Sequence, residues 1–241
     1  MGEIEALSFD MYRTLIDTRD FHIQSVREIL ARNSAASVDS DAFHSRWDEV
    51  YDDIYMSLKP GEFIRLYEVS VESLRQTMRE FGVSGKPEAE VKVWLSKYEN
   101  ADLFPEVEEV MRVLSKKYPA VITSNVDDDD PGYAMVRKKN LPLKAVITSE
   151  SSRSYKPHIN IFKDALSILG CKPEEVLHIG DSQRADVLGA KNAGMLVAWL
   201  NRNSSSRLRQ DIPAPDYEIS DLRQLLSLDK ISPYINTVLS P

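Results

Sequence analysis

Asp10 closes a short apolar run, residues 4–9, and Thr14 follows four residues later. A carboxylate at a strand end with a hydroxyl close behind is how a nucleophile is presented at the rim of a parallel sheet. Three further segments carry side chains capable of chemistry. Residues 120–123 lead into Ser124 and Asn125, Lys156 stands immediately before Pro157, and residues 176–179 lead into Asp181 and Asp186, which flank a tight turn.

Taken singly, most of these have ordinary readings. A strand-end aspartate is more often an N-cap or turn residue than a nucleophile, Ser-Asn is a common strand-to-helix turn, and a lone Lys-Pro is usually a surface pair. The proline does hold Lys156 extended, because its ring disfavours the α region for the residue before it. The segment from His178 to Lys191 is the most specific. Its strand, turn, aspartate spacing and helix agree, and Gly189-Ala190 lets that helix pack closely on the sheet.

The elements that must position these residues are short apolar runs at 4–9, 120–123, 145–148, 176–179 and 196–200, separated by helical patterns after the first long gap. Alternation of this kind predicts right-handed crossovers and a parallel sheet, hence an α/β, Rossmann-like core. Asp130-Pro131 offers an N-cap with proline in the first turn, and Pro173-Glu174-Glu175 opens another short turn. Residues 19–100 differ in character. Phe63, Tyr67, Val71, Leu74, Met78 and Phe81 have helical spacing, and breaks at Lys59-Pro60-Gly61 and from Gly82 to Pro87 divide the stretch into helices inserted after the first strand.

The segment Phe9-Asp10-Met11-Tyr12-Arg13-Thr14-Leu15 resembles motif I of the haloacid dehalogenase (HAD) superfamily, whose phosphatases usually read Asp-x-Asp-x-Thr. Ser124, Lys156 and the Asp181–Asp186 turn resemble motifs II, III and IV, and the likeness covers essentially the whole chain. It implies a HAD-like core of residues 1–18 and 101–241 with a helical cap of residues 19–100. It further implies Asp10 as nucleophile, Thr14 and Ser124 as orienting hydroxyls, Lys156 as the neutralising cation, and Tyr12 and Asn125 beside the substrate. Mg²⁺ is implied as cofactor, held by Asp10, the Tyr12 carbonyl and Asp181, with Asp186 direct or through water. If the strand ends converge as the resemblance implies, carboxylates about 4 Å apart repel by roughly 4 kcal/mol at an effective dielectric of about 20. One lysine does not offset that for three, and a hard divalent cation does.

Two positions depart from the phosphatase pattern. Tyr12 replaces the aspartate that phosphatases use as general acid, and a phenol with a pKa of about 10 is a poor base for the second step. Slow turnover, activated leaving groups or an acid from the cap are therefore expected. The 2-haloacid dehalogenase branch often carries tyrosine there, since a departing halide needs no proton, and Val197 to Arg202 and Asp216 to Ile219 also look like that branch. Against it, Asp181 stands where those metal-free enzymes usually have a small polar residue. The leading reading is a Mg²⁺-dependent phosphatase acting on a small phosphorylated metabolite through an aspartyl-phosphate. A dehalogenase using the same Asp10, and a weakly active or non-catalytic binding protein, are the alternatives.

A formal charge of −8 argues against general affinity for nucleic acid or anionic membrane, so an anionic substrate such as a phosphomonoester must be held by the site itself. Cys171 is the single cysteine, which excludes an intramolecular disulfide and suits a reducing cytoplasm. No basic leader precedes the first run, and no membrane-length apolar stretch occurs. A cytoplasmic monomer or homodimer is expected. Phe43, Trp47, Tyr51 and Tyr55 are read as packing between cap helices, and Asp127 to Asp130 as a solvated loop ending in the Asp130 N-cap. Arg13, at a position usually glycine in the family, has no assigned role.

Overall fold

The computed structural model describes residues 3–59, 61–202, 204 and 206–231; Pro60, part of the expected break between cap helices, lies outside them. The strands in chain order are β1 (Ala6–Phe9), β2 (Ile16–Asp17), β3 (Asp102–Leu103), β4 (Ala120–Ser124), β5 (Ala145–Thr148), β6 (Val176–Gly180), β7 (Leu196–Leu200) and β8 (Tyr217–Ile219). Six of them form one parallel sheet in the order β5-β4-β1-β6-β7-β8. The chain thus fills one side of β1 with β4 and β5, then crosses to β6. That reversal opens a crevice at the carboxyl ends of β4, β1 and β6.

The expected α/β Rossmann-like core is present. β1 shows why it forms: Leu7 and Phe9 face one buried layer, and Ala6 faces the other. Helices cover both faces of the sheet, which is why its strands read as nearly continuous apolar runs. They include α5 (Val107–Leu114), α6 (Pro131–Lys138), α7 (Ser149–Ser152), α8 (Ile159–Leu169) and α9 (Gly189–Asn192), numbered in chain order. Asp130 caps α6 as expected, its side chain accepting from the Gly132 N–H at 2.8 Å.

Between β2 and β3 lie α1 (Phe21–Arg32), α2 (Ser40–Met56), α3 (Leu66–Glu80) and α4 (Pro87–Tyr98). They enclose a separate apolar cluster around Val26, Phe43, Trp47, Leu74 and Val91. β2 and β3, two residues each and not foreseen from the sequence, pair antiparallel and fasten together the segments that lead out to these helices and back.

Two expectations need correction. Phe43 and Trp47 pack inside the helical cluster as expected. Tyr51 and Tyr55 also pack between helices, in a second cluster with Leu66 and Val69 of α3, but that cluster takes in Tyr155 beyond the inserted helices as well, the Tyr55 and Tyr155 rings lying 5.2 Å apart. Residues four apart drift by about 40° per step around a helix of 3.6 residues per turn, so a long stripe leaves the face on which it began. The second correction concerns the acidic run. Asp127 is only 6% exposed, and its two carboxylate oxygens accept from the N–H groups of Leu66 and Tyr67, each at 2.9 Å. It caps α3 from across the fold, at the helix end where N–H groups lack partners and the helix dipole is positive. Arg65 adds a 2.5 Å bond to Asp129 and a 3.2 Å contact to Glu150, so the run clamps the inserted helices to the sheet.

Replacing Asp127 by Ala leaves two backbone donors without their acceptor. We expect a loss of about 1–2 kcal/mol in urea unfolding. Asp129→Ala, which removes only an exposed ion pair, should stay within about 0.5 kcal/mol of the parent.

Candidate active site

β1 ends at Phe9, and the Asp10 N–H still bonds the Ile179 carbonyl of β6 at 2.8 Å, so the sheet ladder fixes where Asp10 leaves it. The chain then turns sharply through hydrogen bonds from the N–H groups of Leu15 and Ile16 to the Met11 carbonyl. Arg13 takes a left-handed conformation in this turn, φ 61°, which costs a residue with a Cβ roughly 1–2 kcal/mol and explains why glycine suits the position. Its guanidinium reaches Asp181, with Nε 3.4 Å from Oδ2. Arg202 holds the same turn from behind, donating to the carbonyls of Arg13 at 3.2 Å and Thr14 at 2.7 Å.

Lys156 stands at the centre. Only 2% exposed, its ammonium bonds Asp10 Oδ1 and Asp186 Oδ1, both at 2.6 Å. Its backbone is positioned by Asn125, whose side-chain amide donates to the Lys156 carbonyl at 3.1 Å and accepts from the Lys156 N–H at 2.7 Å. Asn125, expected beside substrate, is therefore occupied in tying the β4 end to the lysine. Ser124 donates to Asp10 Oδ1 at 3.3 Å. Thr14 is fully buried, and its hydroxyl has no partner among the described residues.

Asp186 lies in a π-helical turn, Gln183–Leu188, of a kind often found at functional sites. Ser182 and Asp186 fix each other. The Ser182 hydroxyl accepts from the Ala185 N–H at 3.1 Å, while Asp186 Oδ2 accepts from the Ser182 N–H at 2.9 Å. Gly180 is required here, because a Cβ on it would lie 2.3 Å from the Asp186 carboxyl carbon. Gly189 likewise makes room for the close packing expected of it, since its Cβ would meet Phe162 at 2.6 Å.

A buried polar chain behind the site was not read from the sequence. Thr123 Oγ1 is 3.0 Å from Ser8 Oγ, Ser8 Oγ is 2.9 Å from His178 Nδ1, and His178 Nε2 is 3.2 Å from Asp186 Oδ1. These three residues sit on β4, β1 and β6, and the chain continues through Asp186 to Lys156 and Asp10. The available signal was a polar residue in the middle of each otherwise apolar strand.

Asp10, Asp181 and Asp186 each present a carboxylate oxygen within 4.8 Å of the others. Burial opposes the charge of Asp186, yet Lys156 and His178 hold its carboxyl below the usual range. Burial raises the carboxyl of Asp10, opposed by Lys156 and reinforced by Asp186. Asp181 is pushed up to about 7, mainly by burial, with Arg13 opposing and Asp10 and Asp186 adding to the rise. One buried ammonium thus faces three carboxylates. Asp186 already accepts from Lys156, His178 and Ser182, so Asp10 and Asp181 are the pair with capacity to spare. This excess of hard oxygen donors fits a divalent cation.

Tyr12 points elsewhere. Its hydroxyl donates to Asp130 at 2.5 Å and accepts from the Gly132 N–H at 3.0 Å, and its ring meets Tyr98 edge-on at 4.9 Å. Burial, then Asp130, push the phenol well above its usual pKa. Tyr12 and Asn125 also line a cavity of about 540 Å³ between sheet and inserted helices, walled by Tyr51, Tyr67, Trp94 and Tyr98.

With this geometry in hand, comparison with known proteins is specific. A family model described as haloacid dehalogenase-like hydrolase matches residues 7–200. The chain is 26% identical to the glyceraldehyde 3-phosphate phosphatase of Pyrococcus furiosus, over 95% of this chain and 94% of that protein. The fold is similar to that of the L-2-haloacid dehalogenase RSc1362, with a TM-score of 0.78 at 21% identity over 94% of this chain and 98% of that one. It is also similar to the HAD-hydrolase YfnB of Bacillus subtilis, whose structure was solved bound to magnesium, with a TM-score of 0.74 at 20% identity over 94% and 98% of the chains.

Lys156→Met should cost about 3–5 kcal/mol near pH 8, because two buried carboxylates lose their cation. Their folded pKa values then rise above the unfolded ones, so the deficit should shrink as pH falls; unfolding curves at about pH 5 and about pH 8 measure it. Asp130 gives a second, independent slope. Burial pushes it up to about 6, against the opposing Tyr12 bond, so the stability linked to its protonated form is lost as pH rises from 3.8 through about 6. Asp130→Asn keeps the helix cap, and it should flatten the stability profile across that window.

Proposed function

Because the chain belongs to the haloacid dehalogenase-like hydrolases, we propose that it hydrolyses small phosphomonoesters at Asp10, with Mg²⁺ as cofactor. Asp181 carries this reading. A third carboxylate beside Asp10 and Asp186 is a liability for a nucleophile that works alone and an asset for one that shares a cation. The phosphatase relative from Pyrococcus furiosus supports the same substrate class.

In this reading Asp10 Oδ attacks phosphorus in line, giving an aspartyl-phosphate that water then hydrolyses. Asp10 and Asp181 would hold the ion with the Tyr12 carbonyl, and Asp186 acts from behind through Lys156. When bound, Mg²⁺ supplies positive charge against the phosphoryl oxygens. Lys156 aims Asp10 and opposes the effect of burial on its charge, and its ammonium adds to that neutralisation. Ser124, already at Asp10, is placed to donate to the transferring group. Arg13 limits the repulsion that Asp181 feels from the other two carboxylates.

The leaving oxygen is the weak point. Position 12 offers no carboxyl, and its phenol is committed to Asp130 and Gly132, so leaving groups that depart without a proton are favoured. Aryl and acyl phosphates should therefore turn over faster than alkyl phosphates. The same observation supports a second reading, dehalogenation by Asp10, in which the departing halide takes no proton.

An assay of an aryl phosphate and a 2-haloacid, each with Mg²⁺ and with chelator, separates the two. We expect Mg²⁺-dependent phosphate release that falls by at least about 10³-fold in Asp10→Asn. Tyr12→Phe should change kcat on the aryl phosphate by less than about threefold, since the phenol is not the proton donor. Halide release without metal, and no phosphate release, replaces the phosphatase reading by the dehalogenase one.

A further inference from the structure

We propose that the inserted helices carry a transition-metal site of their own, built from His22, His44 and Asp48 and suited to Zn²⁺ or a similar borderline divalent ion. His22 lies in the first turn of α1, and His44 and Asp48 are one turn apart on α2, so donors from two helices meet at one point. His22 Nδ1 is 3.0 Å from Asp48 Oδ1, and His44 Nε2 is 3.6 Å from Asp48 Oδ2. One donor atom from each residue lies within 4.8 Å of the other two.

The two contacts have the length of ion pairs, and they also have the length that two ligands of one metal ion keep. A tetrahedral Zn²⁺ with bonds of roughly 2.0–2.1 Å sets neighbouring donors about 3.3 Å apart, and each imidazole lies within a few tenths of an ångström of that value from one of the two Asp48 oxygens, His22 from Oδ1 and His44 from Oδ2. A hydrogen bond accounts for the 3.0 Å contact but not for the one at 3.6 Å. The two imidazoles stand edge-on with centroids 4.5 Å apart.

The surroundings are those of a site closed on one side. Trp47 and Trp94 wall His22 at 4.5 and 5.2 Å, an apolar lining of the kind that controls solvent access to a metal. Asp48 is 50% exposed, leaving a path for the ion and room for a water as fourth ligand. Two imidazoles and one carboxylate favour Zn²⁺, while the all-oxygen cluster at Asp10 favours Mg²⁺, so metal chemistry distinguishes the two sites. The ion would staple α1 to α2. Nothing in this inference depends on the phosphatase reading.

The test uses the full chain after chelator treatment, titrated with Zn²⁺ by calorimetry and with Co²⁺ by visible absorption, whose ligand-field bands are intense in tetrahedral sites. Asp181→Asn, which lacks a ligand of the Asp10 site, should take up one equivalent, with an intense Co²⁺ spectrum and a raised Tm in Zn²⁺, and the parent should take up that same equivalent beside any ion held at Asp10. His44→Ala and Asp48→Asn, each made in the Asp181→Asn background, should bind at least about 100-fold more weakly, since even outer-shell losses cost about 10- to 100-fold. Both substitutions fall at partly exposed positions of α2, circular dichroism verifies folding, and either variant alone suffices if the other does not fold. The proposal is overturned if Asp181→Asn takes up no ion, or if its uptake survives His44→Ala or Asp48→Asn unchanged.

Discussion

The structure turns on one buried ammonium. Lys156 lies 2.6 Å from carboxylate oxygens of both Asp10 and Asp186, almost without solvent contact. Burying a charge is expensive unless it is paired and every remaining donor and acceptor is occupied. The rest of the site can be understood as meeting that condition. Asn125 holds the lysine backbone, Ser182 and His178 fill the open positions of Asp186, and Ser8 and Thr123 complete the chain behind His178. The strands β4, β1 and β6 are thereby joined by side chains as well as by their backbone ladder.

Such a network fixes the Asp10 carboxylate and leaves a defined imbalance at its open side. Asp181 is the carboxylate that Lys156 does not touch, and Arg13 approaches it at 3.4 Å from a largely exposed position. The backbone conformation of Arg13, unfavourable for a residue other than glycine, places that guanidinium over the site. The position thus combines local strain with an electrostatic contact, a pairing that a family pattern of glycine at this place does not suggest.

The relation of the inserted helices to the sheet rests on charges too. Asp127 caps α3 from the core, Arg65 returns the contact to Asp129 and Glu150, and Tyr155, immediately before Lys156, donates to the Ile64 carbonyl while stacking on Phe63. The residue that holds Asp10 is thus adjacent in sequence to one that holds the inserted helices. Tyr12 belongs to this same seam, through Asp130 and Tyr98, and so its phenol serves the interface between sheet and helices.

Much of this was legible before any coordinates. Apolar runs with period-appropriate breaks determined the strands and the parallel sheet, because strands buried on both faces are built mainly of apolar residues. The turn at Asp181 to Asp186 was legible because strand, spacing and small residues agree locally. What the sequence could not decide was direction. Whether Asp127 faces water or the end of α3, whether Tyr12 faces the substrate or Asp130, and whether Asn125 meets a ligand or Lys156 depends on partners 31 to 118 residues away in the chain. The same holds for Ser8, Thr123 and His178, whose meaning appears only when three strands lie side by side. Residue type and spacing determine which chemistry is available, and packing between distant segments determines where each polar atom spends its hydrogen bonds.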